Sequence, residues 1–136
     1  MKAVIKFGLP SILGLLISTS VYAIEADIVG ARIVRVLVTG DSVHGGCMAL
    51  LDRDISTSST ASVNLDCLQP GGASDRWVTF ACNAPETGVW PASRAAQRTF
   101  EMAQLAYALQ SRVRVKVDDS RKINGHCFSS AIQVYQ

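Results

Sequence analysis

Residues 91–117, PASRAAQRTFEMAQLAYALQSRVRVKV, hold a strong helical pattern and the cleanest strand pattern of the chain, joined by Gln110-Ser111. Pro91 suits a first helical turn, because the N–H it lacks has no partner there anyway. Ala96, Phe100, Ala103 and Tyr107 recur at helical spacing, as do Met102, Leu105 and Leu109. Arg94, Gln97, Arg98, Glu101 and Gln104 form the opposite, polar face. The spacing predicts an amphipathic helix over Pro91–Leu109 that lies on a sheet. Arg112–Val117 then alternates strictly. Val113, Val115 and Val117 point one way, and Arg112, Arg114 and Lys116 form a solvent-facing strand side.

The elements on either side are short strands and turns. Asn124-Gly125 is the strongest hairpin signal in the chain. Cys127–Tyr135 follows as a closing strand, with Phe128, Ile132 and Val134 on one face. Upstream, Ala31–Val38 reads as a strand whose apolar face is Val34, Val36 and Val38, ended by the turn Thr39-Gly40-Asp41-Ser42. Gly46–Leu51 is a second short strand. Asp52–Ser62 is a polar excursion, and Ser62–Leu68 reads as a third strand before the turn Gln69-Pro70-Gly71-Gly72. Arg76–Cys82 alternates again, with Val78, Phe80 and Cys82 on one face, and Asn83–Gly88 is a loop. The expected class is mainly β with one helix: three or four strands, the helix, then a two-strand hairpin. A small closed barrel capped by a helix, the oligonucleotide/oligosaccharide-binding (OB) fold, has this order. An open antiparallel sheet with one packed helix is the alternative.

The first 23 residues read as a secretory signal: Lys2 and Lys6, an apolar run from Phe7 to Ile17, and small Val21 and Ala23 before the cut. That run falls short of the roughly 20 apolar residues of a membrane span. The remaining 24–136 form one domain of 113 residues. It carries 11 basic and 11 acidic side chains, because the leader takes two of the 13 lysines and arginines with it. A neutral chain lacks the basic footprint that nucleic-acid binding requires. An apolar content of 49% against 18% charged residues argues against disorder.

All four cysteines, Cys47, Cys67, Cys82 and Cys127, lie in the mature part. An even count in a small exported domain implies two disulfides in an oxidising compartment, with three possible pairings. Zinc is the rival reading, since His44 lies near Cys47 and His126 adjoins Cys127. The chain has no Cys-x-x-Cys, however, and the exported context favours disulfides. Catalytic patterns are missing. There is no nucleophile elbow, phosphate loop or metalloprotease helix motif, and no cofactor is implied. His44 and His126 sit beside glycines and read as exposed turn residues. Asp118 and Asp119 are adjacent on a strand end, so they point apart and cannot share a proton.

Around Cys82 the pattern becomes specific. Ala81-Cys82 is followed by six residues, then Val89-Trp90, Pro91-Ala92-Ser93, and a helix carrying Ala103-Gln104-Leu105-Ala106-Tyr107 that runs into Val113-Arg114-Val115. Over Gly30 to Val117 the chain resembles the B (binding) subunits of the subtilase cytotoxin and typhoid toxin group. The resemblance implies an OB-fold subunit that forms a ring of five, with helices around a central pore. It implies outer surfaces that bind host glycans, sialylated ones in the toxins, and a toxin A chain as partner. It also implies that Cys47 pairs with Cys82, which leaves Cys67 for Cys127. The toxins' sugar-contacting serine falls on Gly30 here, and a sugar-contacting tyrosine falls on Val117. Neither residue offers a polar side-chain atom, so the same sugar contacts are not reproduced.

The sequence therefore points to a secreted, non-catalytic binding subunit that acts through a multivalent ring. The alternative is a periplasmic immunity or inhibitor protein that binds a toxin or hydrolase. Candidate ligand residues are the polar positions near strand ends: Asp41, Ser42, Asp118, Ser120 and Arg121. Trp77 and Trp90 read as structural.

Overall fold

Five strands and one helix follow the expected order in the computed structural model, which describes residues 24–40, 42, 44–55, 65–67, 76–83 and 93–135. The leader, Asp41, most of the polar excursion, the turn at 69–72 and Trp90 lie outside the described residues. The elements are β1 (Glu25–Val38), β2 (Cys47–Leu51), β3 (Trp77–Thr79), α1 (Ser93–Leu109), β4 (Arg112–Ile123) and β5 (His126–Tyr135). The sheet runs β1-β2-β3-β5-β4 and closes back on β1 as a barrel. Its pairs are antiparallel except β3–β5, a parallel contact at Thr79 and Phe128. With the helix between β3 and β4, this is the OB arrangement anticipated from the order of elements. No helix among the described residues is long and apolar enough to cross a membrane.

Alternation builds the interior. Val113, Val115 and Val117 are fully buried, with Ala49 and Leu51 of β2 and Val78 of β3. The helix seals the barrel with Ala96, Phe100, Ala103 and Ala106. Three of these four are alanines, which lets the helix backbone approach closely. Phe100 fills the remaining space and meets Phe80 at a ring distance of 5.6 Å. Gln110 ends the helix in the left-handed region (φ 53°), while Ser111 N–H donates to Ala106 O (3.0 Å). The chain then turns directly into β4.

The helix has a second apolar side. Met102, Leu105 and Leu109 are 40%, 46% and 62% exposed, so they do not join the buried row despite their helical spacing. Tyr107, expected on the buried face, is also partly exposed.

Two strands are longer than their sequence patterns suggest. β1 begins at Glu25 and carries two bulges. The first lies at Gly30 (φ 76°), between Val29 and Ala31. Before it Ala26 and Ile28 face inward; after it Ala31 and Ile33 do. The parity of the strand therefore switches at Gly30. The second bulge, between Ile33 and Arg35, turns Val34 outward, and Val38 at the strand end is exposed. The Val34, Val36 and Val38 face thus does not form. β4 continues through Asp118-Asp119-Ser120 to Ile123, with an irregularity between Asp118 and Lys122. The Asn124-Gly125 turn has φ of 51° and 83°, the pair that a tight hairpin requires.

The expected strand over Ser62–Leu68 does not form in its described part. Leu65 and Cys67 are buried about an exposed Asp66, so the alternation is present, but Leu65–Cys67 join no strand. Asp66 N–H donates instead to Asp119 Oδ2 (3.2 Å), and Cys67 is bonded to Cys127. A side-chain acceptor and a covalent bond do the work of a ladder. The other disulfide joins Cys47 to Cys82, with Cα atoms 5.7 Å apart. All four sulfurs are therefore committed, as the resemblance implied.

Gly45, in the β1–β2 connection, has φ of 77° and little room. A Cβ there would lie 2.5 Å from Thr79 Oγ1 and 3.2 Å from the Ala81 Cα. Thr79 Oγ1 cannot withdraw freely, because it donates to His44 O (2.9 Å). Gly45→Ala is expected to destabilise by about 2 kcal/mol through strain and contact together. Urea unfolding checks this; an unchanged midpoint would show that the loop shifts at no cost.

Candidate functional site

Three of the sequence candidates meet on β4. Asp118 is 4% exposed. Its Oδ1 accepts from Ser120 N–H (2.9 Å) and Ser120 Oγ (2.6 Å), and its Oδ2 from Arg121 Nε (2.7 Å). The Arg121 guanidinium lies 4.3 Å from the centre of the Phe128 ring. Burial pushes the Asp118 carboxyl up, but the Ser120 and Arg121 donors outweigh it and hold the group below its ordinary value. Asp119 turns elsewhere: Oδ1 accepts from Ile24 N–H (3.0 Å) and Oδ2 from Asp66 N–H. The two carboxylates thus serve separate networks. Ser42 is exposed in the β1–β2 connection and makes no hydrogen bond with the Asp118 group.

The histidines differ from expectation. His126 is 5% exposed, as the first residue of β5, where it pairs with Ile123. Its ring meets the half-buried His44 ring edge-on at 5.8 Å. No group of three metal-ligating side chains occurs among the described residues.

A different cluster forms around Gly30. Along the outer face of β4, Lys116 pairs with Glu25 (2.5 Å) and Arg114 with Asp27, whose carboxyl the Arg114 hydrogen bond holds below its ordinary value. Arg112 has no such carboxylate among the described residues, and its Nη1 donates to the Gly30 carbonyl (3.2 Å). Arg53, just past β2, reaches the same place. Its Nη2 donates to Gly30 O (2.8 Å) and its Nη1 to Val29 O (3.1 Å). Asp52 steadies it by accepting from Arg53 Nε (3.2 Å) and Arg32 N–H (3.0 Å). The open side of Gly30 is ringed by side-chain tips. A Cβ there would lie 3.7 Å from Arg112 Nη1, 3.7 Å from the Tyr135 hydroxyl and 3.9 Å from Arg53 Nη1. Beside it, Arg32 and Arg112 line an open cleft of about 350 Å³ with Leu109, Gln110 and Ser111.

This arrangement suits anion recognition. Arg53 and Arg112 converge on Gly30 and are held by backbone carbonyls, Asp52 pairs with Arg53, and Arg32 lines the cleft beside them. A guanidinium presents a planar fork of donors that matches a carboxylate. Sequence reasoning missed the site, because Gly30 offers no side chain and Arg112 reads as one of a row of solvated cations. Arg53 and Tyr135 come from other elements, so no local motif marks them. Val117 is fully buried and points into the core, where no ligand reaches it. Comparison of the chain with protein-family models, curated proteins and solved structures finds no match.

Proposed function

We propose that the mature chain is a secreted or periplasmic, non-catalytic binding subunit, similar to a bacterial toxin B subunit, that recognises an acidic glycan at the Gly30 cleft from a ring of identical copies. The convergence of Arg53, Arg112 and Tyr135 on Gly30 carries this reading. Where the toxins present a serine, the glycine leaves an open floor, and the surrounding side chains supply the donors. A sugar carboxylate would meet the guanidinium fork, and neighbouring hydroxyls would meet Tyr135 and Ser111. The two disulfides fit an oxidising compartment. The exposed Met102 and Leu105 fit a contact between copies, in keeping with helices that face one another around a pore. A ring turns weak single contacts into avidity.

Native mass spectrometry of the mature, oxidised protein with and without sialyllactose tests both parts. Five-subunit assemblies carrying sugar adducts are expected. Arg112→Ala should lose the adducts and keep the ring. Leu105→Glu should yield monomers, because a buried unpaired carboxylate opposes association. A monomer without adducts would sink the reading. It would turn the same apolar stripe towards a different protein, the immunity or inhibitor alternative.

A further inference from the structure

We propose that Arg35, Trp77 and Tyr107 form a second saccharide subsite beside the Gly30 cleft, so that the ligand is an acidic oligosaccharide of at least two rings. This rests on the reading of the Gly30 cleft as an acidic-sugar site. An open cleft of about 290 Å³ lies between β1, β3 and the end of α1, lined by Arg35, Val36, Leu37, Trp77 and Tyr107. Its size is near the lower end of ligand pockets, roughly 300–1,000 Å³, which is room for a single ring.

The chemistry of its walls selects the ring. Trp77 and Tyr107 present flat apolar faces with a polar tip, a match for a pyranose with an apolar C–H face and a rim of hydroxyls. Pairing with Leu50 fixes the Trp77 backbone, and Tyr107 sits in the last helical turn. Val36 and Leu37 are aliphatic. Arg35 is exposed and makes no ion pair among the described residues, so its donors are available to ring hydroxyls or to an acidic substituent.

The two clefts are neighbours. Arg32 and Arg35 are three residues apart on β1, at most about 10 Å. Tyr107 lines one cleft and Leu109 and Gln110 the other, within one helical turn, about 5 Å of rise. A ligand of two or three linked rings therefore reaches both. Its second contact is intramolecular once the first is made, which raises affinity without a stronger single site.

The test is titration calorimetry of the assembled, oxidised protein with free sialic acid and with sialyllactose. The wild type should bind sialyllactose about tenfold more tightly or better, a difference of at least about 1.4 kcal/mol. Tyr107→Ala and Arg35→Gln, both at exposed positions, should each bring that ratio close to one while leaving sialic acid binding unchanged. Sialyllactose, and not sialic acid, should quench Trp77 fluorescence, and Trp77→Phe should abolish the quench. Equal affinities in the wild type, or a ratio that neither variant alters, overturns the subsite and leaves the Gly30 cleft intact. Failure of the wild type to bind either sugar overturns the Gly30 reading, and the subsite with it.

Discussion

Replacing Cys67 and Cys127 together with alanine is expected to lower stability by about 4 kcal/mol. The two residues are 60 positions apart, and a bond that closes a loop of that length removes much of the freedom of the unfolded chain. Removal also loosens what the bond holds. Both cysteines are fully buried, and Cys67 anchors the segment on which Asp66 meets Asp119 and Lys122. A domain of this size has a total stability of only about 5–15 kcal/mol. At about 4–8 °C per kcal/mol, the melting temperature should fall by roughly 15–30 °C. Far-ultraviolet circular dichroism of the double variant reads this directly and avoids a lone reactive thiol. A fall of only a few degrees would show that the segment is held by its hydrogen bonds and packing alone.

Asp118→Ala is expected to cost about 3 kcal/mol. The carboxylate is buried and accepts three hydrogen bonds, so its loss removes those bonds from the Ser120 donors and the Arg121 cation. Arg121 is held against Phe128, which limits its escape to water. The pH dependence follows from the same contacts. The folded carboxyl lies below its ordinary value, so the stability it contributes is present above the unfolded pKa of about 3.9. It is lost as pH falls through the folded value. Wild-type stability should therefore decline below about pH 4, and the decline should be shallower in Asp118→Asn, which does not titrate. Equal acid slopes in the two proteins would remove Asp118 as the cause. Asp27 shifts in the same direction through Arg114, but that pair is exposed and contributes little.

What the sequence made legible was periodicity. The valine alternation of β4, the Asn124-Gly125 turn and the Ala96-Phe100-Ala103 row each depend on neighbours in the chain, and each appears in the fold as read. The misreadings occur where a long-range partner decides. Asp118-Asp119 reads as a strand end, yet β4 runs on to Ile123, and Arg121, Ile24 and Asp66 donate to the two carboxylates. Leu65 and Cys67 alternate like a strand, yet a disulfide to β5 replaces the ladder. Met102, Leu105 and Leu109 have helical spacing like the core row, and only the position of the helix on the barrel shows that they face outward. The Gly30 cleft was illegible for the same reason, since its groups come from β1, the segment after β2, the start of β4 and the end of β5.

The closure of the barrel has a consequence for how the molecule opens. β3 has three residues, and its bond to β5 is the single parallel pair of Thr79 and Phe128. The disulfides flank that seam. Cys47 precedes Met48, the β2 partner of Thr79, and its bond reaches Cys82 just beyond β3. Cys127 precedes Phe128. They act as two hoops beside this joint: one ties β2 to the residues just past β3, the other ties the segment before β3 to β5. With the hoops intact, the amides at the seam should exchange with solvent hydrogen only by local fluctuation. Once they are reduced, the cylinder can unroll into a sheet with two unpaired borders, and unpaired borders add strands from their neighbours. The redox state of the two cysteine pairs thus bears on whether the barrel stays closed or bares edges that favour aggregation.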